Sequence, residues 1–187
     1  MTRMGAIGNG LQAAWMFARG DAQGAALLTA EPDAEWAAAK ISFWAVLLCL
    51  PAVLCVYLVD PPSGRSGGGI GRLLLGEALD WAGFAVLTHI LIGQAGLALR
   101  WPRYIAAWNW CNLLQALMMV GAVIPTLLGL PDGVRETAGL VVVGWGLWLE
   151  WFATRVTLGI PGAAAFLLVA MDVLLSSVVS VMLSSIH

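Results

Sequence analysis

Charge is what this sequence has least of: aspartate, glutamate, lysine and arginine together make up 11% of the chain, and lysine occurs once, at Lys40. Soluble domains carry about 25% charged residues, so a fully solvated surface is excluded. Histidine is almost as scarce, with only His89 and His187, and the three cysteines, Cys49, Cys55 and Cys111, fall inside apolar runs without ligand spacing. Neither a His-Glu-x-x-His site nor a cysteine metal cage nor a disulfide framework can be drawn from these residues. The cysteines read as small buried hydrophobes. Eleven acids against nine bases, with no basic patch, argue against nucleic acid as a partner.

What is abundant is apolar: 60% of the 187 residues are hydrophobic, and the mean hydropathy is +0.87. A bilayer core of about 30 Å needs about 20 apolar residues at 1.5 Å each. Five such segments are predicted, at about 36–59, 75–99, 104–124, 136–158 and 162–186. The chain is therefore expected to be all-α, a polytopic membrane bundle of five transmembrane helices forming one domain over 1–187, with residues 1–35 as an N-terminal segment. In that segment Ile7, Leu11, Trp15 and Ala18 recur at helical spacing, which predicts a short interfacial helix ending at Gly20. The segment lacks the continuous apolar core of a secretory signal, so Met1 is expected to be the mature start.

Glu31-Pro32-Asp33 reads as a helix start, and Pro51 is expected to kink the first span. The Pro-, Gly- and Ser-rich run from Pro61 to Gly69 reads as a flexible linker. Pro125 is expected to end or kink the third span.

Bases at the span ends set the expected orientation. With the N-terminus inside, Arg3, Arg19, Lys40, Arg100, Arg103 and Arg155 are cytoplasmic, and Arg65, Arg72 and Arg135 are outside. The C-terminus then lies outside. Eight arginines against one lysine, with much Ala and Gly, suggest a GC-rich bacterial genome and an inner-membrane location. Most tryptophans fall towards the cytoplasmic half as interfacial anchors, while Trp81 falls near the outer end.

An ionisable group inside a bilayer costs about 2.5–3.5 kcal/mol at a helix centre, so each one is a functional candidate. Asp172 stands alone between two uncharged runs of the last span. At 100° per residue its face also holds Gly162, Ala165, Val169, Ser176 and Ser180. His89 has Ala82, Ala85, Gly93 and Gly96 on its face, and Glu150 has Gly139, Val143, Gly146, Thr154 and Thr157. Small faces of this kind pack against neighbouring helices.

Counting from the expected span ends places His89 and Asp172 each about 15 Å deep, as a paired contact expected to be dry. Gln115 lies near the same level. The expected polar layer is thus His89, Gln115, Glu150 and Asp172, serving either as a ligand or proton site or as interhelical hydrogen-bond glue. Asn109 and Asn112 add amides nearby, and Arg100, Arg103 and Arg155 are expected to snorkel towards Glu150. Glu77 and Asp80 are expected to serve only as acids at a helix N-terminus. The serines of the last span, Ser176, Ser177, Ser180, Ser184 and Ser185, show helix-contact spacing and have no nucleophile elbow around them. No enzyme activity and no cofactor are expected.

The span spacing, the joint Arg100-Trp101-Pro102-Arg103 and the run Arg103-Tyr104-Ile105-Ala106-Ala107-Trp108-Asn109-Trp110-Cys111-Asn112 resemble the Yip-type five-span membrane proteins. The resemblance covers about residues 24–186. It implies a non-enzymatic membrane scaffold or adaptor, with no catalytic residues to carry over. Two functions follow as expectations: an organiser or accessory subunit that binds lipids and another membrane protein or a second copy of itself, and a small proton-coupled transporter built on the polar layer. A cavity reaching Asp172 separates them, since only the transporter needs one.

Overall fold

The computed structural model describes residues 3–28, 32–60 and 69–185, and among them every regular element is helical. Helix α1 spans Arg3–Phe17 and is followed by a short 3-10 turn at Ala22–Leu28. Then come α2, Pro32–Ser42, and α3, Trp44–Val59. Helix α4 spans Gly69–Gln94, α5 Trp101–Ala122, and α6 is a single turn at Ile124–Leu127. Helices α7, Asp132–Leu158, and α8, Gly162–Ser184, complete the bundle. Five segments are long and apolar enough to cross a membrane: 35–59, 69–94, 98–127, 132–158 and 162–184. The chain is an integral, multi-pass membrane protein. The linker at 61–68 and His187 lie outside the described residues.

Several boundaries differ from expectation for local reasons. Helix α3 runs through Pro51, and the break in the first span comes at Phe43 instead, between α2 and α3. Ser42, at that break, turns its hydroxyl back to the Ala39 carbonyl at 2.7 Å. Back-bonding of this kind competes with the helix ladder and bends it. Helix α4 ends at Gln94, five residues before the expected limit, because Gly96 takes φ +75 and the chain turns there. The break at Val123, next to Pro125, is as expected.

Helix α5 is the axis of the bundle. It is flanked by α1, α2, α3 and α7, and its stretch from Tyr104 to Cys111 is buried throughout. Helices α4 and α8 pack on each other, with Gly83 against Leu175 and Gly76 against Leu183. Helix α8 also packs on α7, so α4, α8 and α7 pass in an arc in front of α5.

Helix α1 buries a face other than the large apolar one. Ala6, Ala13, Ala14 and Phe17 are buried, while Leu11 and Trp15 are exposed. Gly10 explains the choice: a Cβ there would sit 2.2 Å from the Trp110 indole, so only a glycine lets α1 close onto α5. Trp81, expected as an outer anchor, is also inside the bundle, edge-on to Trp108 at 5.6 Å.

Candidate functional site

The bundle has two ends of opposite character. At the end formed by residues 95–103 and 157–162, every polar group that enters the packing finds a partner. Helix α7 terminates at Gly159, whose φ of +62 needs a glycine, and its last carbonyls are taken by arginines. Arg103 donates to the Thr157 carbonyl at 3.0 and 2.5 Å, and Arg100 to the Leu158 carbonyl at 2.5 Å. Trp151 donates to the Gly162 carbonyl at 2.9 Å and so fixes the turn into α8. Arg155 lies over the Trp151 ring. None of the three arginines neutralises Glu150, contrary to the expected snorkelling: Arg100 and Arg103 go to the carbonyls at the end of α7, which carry the negative end of its dipole, and Arg155 to the Trp151 ring.

One level deeper, Asn109 joins three helices. It accepts from the Trp81 indole at 2.7 Å and donates to the Ser42 hydroxyl at 2.8 Å, while Ser42 donates on to Ala39. Both its oxygen and its nitrogen are engaged in tying α5 to α4 and α2, so Asn109 is a structural bolt. Phe84 stacks on Trp108 at 4.5 Å and closes this end with an aromatic layer.

Beyond Trp108, towards the Gly69 end, the interior opens. A cavity of about 220 Å³ is lined by residues of α3, α4, α5 and α8, including Glu77, Asp80, Trp81, Trp108, Gln115 and Asp172. A second region, about 410 Å³, is a shallow depression broadly open at the outer face of α7 and α8, and carries Asn112, Gln115, Glu150, Asp172 and Ser176. The third, about 230 Å³, reaches Gly69, Arg72 and Ser184 at the helix ends and is also lined by Glu77, Asp80 and Ser176. The three regions adjoin through shared lining residues, and Ser176 borders all of them.

Local packing places the acids here. Glu77 and Asp80 are three residues apart on α4 and so project to one side. Ser176 donates a hydrogen bond to Asp80 Oδ2. Glu150 is one turn from Gly146, where a Cβ would lie 2.9 Å from Gln115 Oε1, so the glycine admits the glutamine between α5 and α7. The side chains of Glu150 and Asp172 meet within hydrogen-bonding reach, with the Trp108 indole N–H and the Tyr104 hydroxyl beside them.

Most informative are the polar atoms left over. Among the described residues, the buried side-chain atoms with no well-aligned hydrogen bond are Asp80 Oδ1, Tyr104 OH, Trp108 Nε1, Gln115 Nε2 and Glu150 Oε1. All belong to residues that line this space or border its Glu150–Asp172 wall. Buried polar atoms are satisfied more than 90% of the time, and a local concentration of exceptions marks a place for water, ion or ligand.

The expected layer is thus kept in part. Gln115, Glu150, Asp172 and Asn112 come together, but His89 does not join them. His89 is exposed and meets only the edge of the Trp101 ring, at 4.7 Å. Its depth fails because α4 ends at Gln94, so His89 lies five residues, about 7.5 Å, from the helix end. Its direction fails as well, since nine residues from Asp80 at 100° each turn it to the opposite side of α4. The partner of Asp172 is Glu150, and the contribution of α4 is Asp80, which sequence reasoning had left as a helix-end acid. Its i, i+3 spacing from Glu77 on an otherwise apolar helix was the available signal. Asp172 borders open space at two of these regions, where a close helix contact was expected.

Searches of protein-family models, curated proteins and solved structures find no match to this chain.

Proposed function

We propose that this chain is a small proton-coupled membrane transporter whose coupling site is the Glu150–Asp172 pair. The observation that carries the reading is the set of adjoining polar regions between the Gly69 end and that pair, lined by Asp80, Trp108, Gln115 and Glu150, four of the five described residues with an unpartnered buried polar atom. A scaffold has no use for such a space. Retaining unpaired acids in a bilayer costs several kcal/mol, and transport sites are where that cost is repaid.

Two carboxyl groups hydrogen-bond each other only through a shared proton, so solute binding that separates them would exchange that proton with the cavity. The titratable and charged groups around the pair are Asp80 and Glu77 from α4, Tyr104 and Cys111 from α5, and Arg72 at the mouth. In the orientation favoured by the base count, the cavity faces the periplasm of a bacterial inner membrane and the arginine-capped end faces the cytoplasm. The Yip-type resemblance is compatible with this as a shared five-span topology and adds no residue to the site.

The test is reconstitution of the full chain in liposomes containing a pH-sensitive dye, with a pH jump across the membrane and a panel of small amines, amino acids and sugars. A member of the panel should drive proton flux above that of empty liposomes, and Glu150→Gln or Asp172→Asn should reduce that flux at least tenfold with the helical circular dichroism unchanged. Proton-tight liposomes with every solute would remove the transporter reading.

A further inference from the structure

We infer that the solute held in this space is a small protonated amine or guanidinium cation, and that Asp80, Glu150 and Asp172 are the groups that bind it. The inference deepens the transporter reading and rests on it for the role of the cavity. Among the described residues, the carboxyl side chains of Glu77, Asp80, Glu150 and Asp172 line these regions, with one base, Arg72, at the Gly69 end. In surroundings of low dielectric such an array focuses a negative potential and concentrates cations.

The unpartnered atoms define the cation further. Asp80 Oδ1 and Glu150 Oε1 have no aligned donor, and Glu150 is only 5% exposed, so an occupant bearing N–H groups would complete them. A cation with N–H groups supplies that donor, whereas a quaternary ammonium does not. Gln115 Nε2 is a donor without an acceptor at the same wall, and the Trp108 N–H, beside the Glu150–Asp172 pair, is aligned on neither carboxyl. An oxygen on the same solute, a hydroxyl or a carbonyl, would satisfy them. Val53, Ala116 and Met119, with the Trp81 and Trp108 side chains, give the wall an apolar part that accepts a short alkyl portion.

Among the described residues no three His, Cys, Asp or Glu side chains converge tightly enough to hold a metal ion. The acids are spread for a larger cation. Ethanolamine carries the whole complement, an ammonium, two carbons and a hydroxyl, and serves as the probe. The same chemistry is present in an aminated lipid headgroup, which reaches the site from the bilayer and not from water.

The experiment is equilibrium binding to the purified full-length chain by calorimetry, with ethanolamine, guanidinium, tetramethylammonium and acetate. Ethanolamine and guanidinium should bind at least tenfold more tightly than tetramethylammonium, and acetate should give no heat. Asp80→Asn should weaken ethanolamine at least tenfold, while His89→Ala, on the opposite side of α4, should leave it unchanged. A second readout keeps every carboxyl in place: with Ser176→Cys as the sole cysteine, ethanolamine should slow modification by a cationic thiol reagent at least fivefold. Equal affinity for tetramethylammonium, tighter binding of acetate, or no protection at position 176 would overturn the inference.

The two readings fail separately. Ethanolamine binding without proton flux keeps the cation site and removes the coupling; proton flux driven by a neutral solute, with no amine bound, does the reverse. Repeating the titration in phosphatidylethanolamine and phosphatidylglycerol nanodiscs separates the sources. Binding weakened at least tenfold in the former supports a lipid headgroup as the natural occupant, and equal binding supports a free solute.

Discussion

The two halves of the bundle use similar residues to opposite ends. Near the arginine-capped end, Asn109, Ser42, Thr88, Trp101, Arg100 and Arg103 are tied to defined partners within a closely packed aromatic layer. Beyond Trp108, Asp80, Gln115 and Glu150 each keep an atom with no partner, around a space large enough for a small solute. A buried hydrogen bond within a membrane bundle is worth about 0.6–1.7 kcal/mol. The first half therefore contributes stability, and the second gives some up. Polar residues inside a membrane protein are thus not one class: what separates glue from site is whether the neighbouring helices complete their hydrogen bonds.

The contrast can be broken most strongly at Glu150. Glu150→Gln should lower proton-coupled flux at least tenfold while leaving the thermal midpoint in detergent unchanged or raised, since it removes a charge-bearing group whose Oε1 has no partner. A lowered midpoint would place Glu150 with the structural half. Asn109→Ala should do the opposite. It strips partners from Trp81 and Ser42, and should cost about 1–3 kcal/mol, read as a lower unfolding midpoint, with flux per folded molecule retained.

Gly10→Ala should destabilise by about 1–3 kcal/mol as an overpacking change, because its Cβ would fall within the Trp110 ring. Accessibility of a thiol reagent to α1 should rise in parallel as the helix lifts from α5. Gly146→Ala should be milder, costing under about 1 kcal/mol, since the atom it meets is the end of a flexible side chain, Gln115 Oε1. Its flux should nevertheless fall severalfold as Gln115 is pushed into the cavity. The smallest effect is expected at His89, where His89→Ala should change neither midpoint nor flux measurably.

The fold was largely legible in the sequence because a bilayer demands long apolar helices, and five such runs are hard to miss. Glu150 and Asp172 were legible for the same reason, as costs that need an explanation. The partnerships were not. Pairing His89 with Asp172 assumed a helix running to Leu99, and Gly96 turned the chain before that. In a span counted from about 75, Asp80 reads as a helix-end acid; with α4 starting at Gly69, it sits three turns inside. Whether the arginines neutralise Glu150 depended on a competitor that no pattern displays, the free carbonyls at the end of α7. Wet or dry was likewise a property of four helices together, set by how far α4, α7 and α8 stand from α5.

Water entry as far as the Glu150–Asp172 level is read out by Ser176→Cys in a background with Cys49, Cys55 and Cys111 replaced by alanine, treated in intact proteoliposomes with a membrane-impermeant cationic thiol reagent from each side in turn. Modification should be rapid from the side of the Gly69 end and absent from the arginine-capped side. A thiol that stays unreactive from both sides, and reacts only after denaturation, would contradict it.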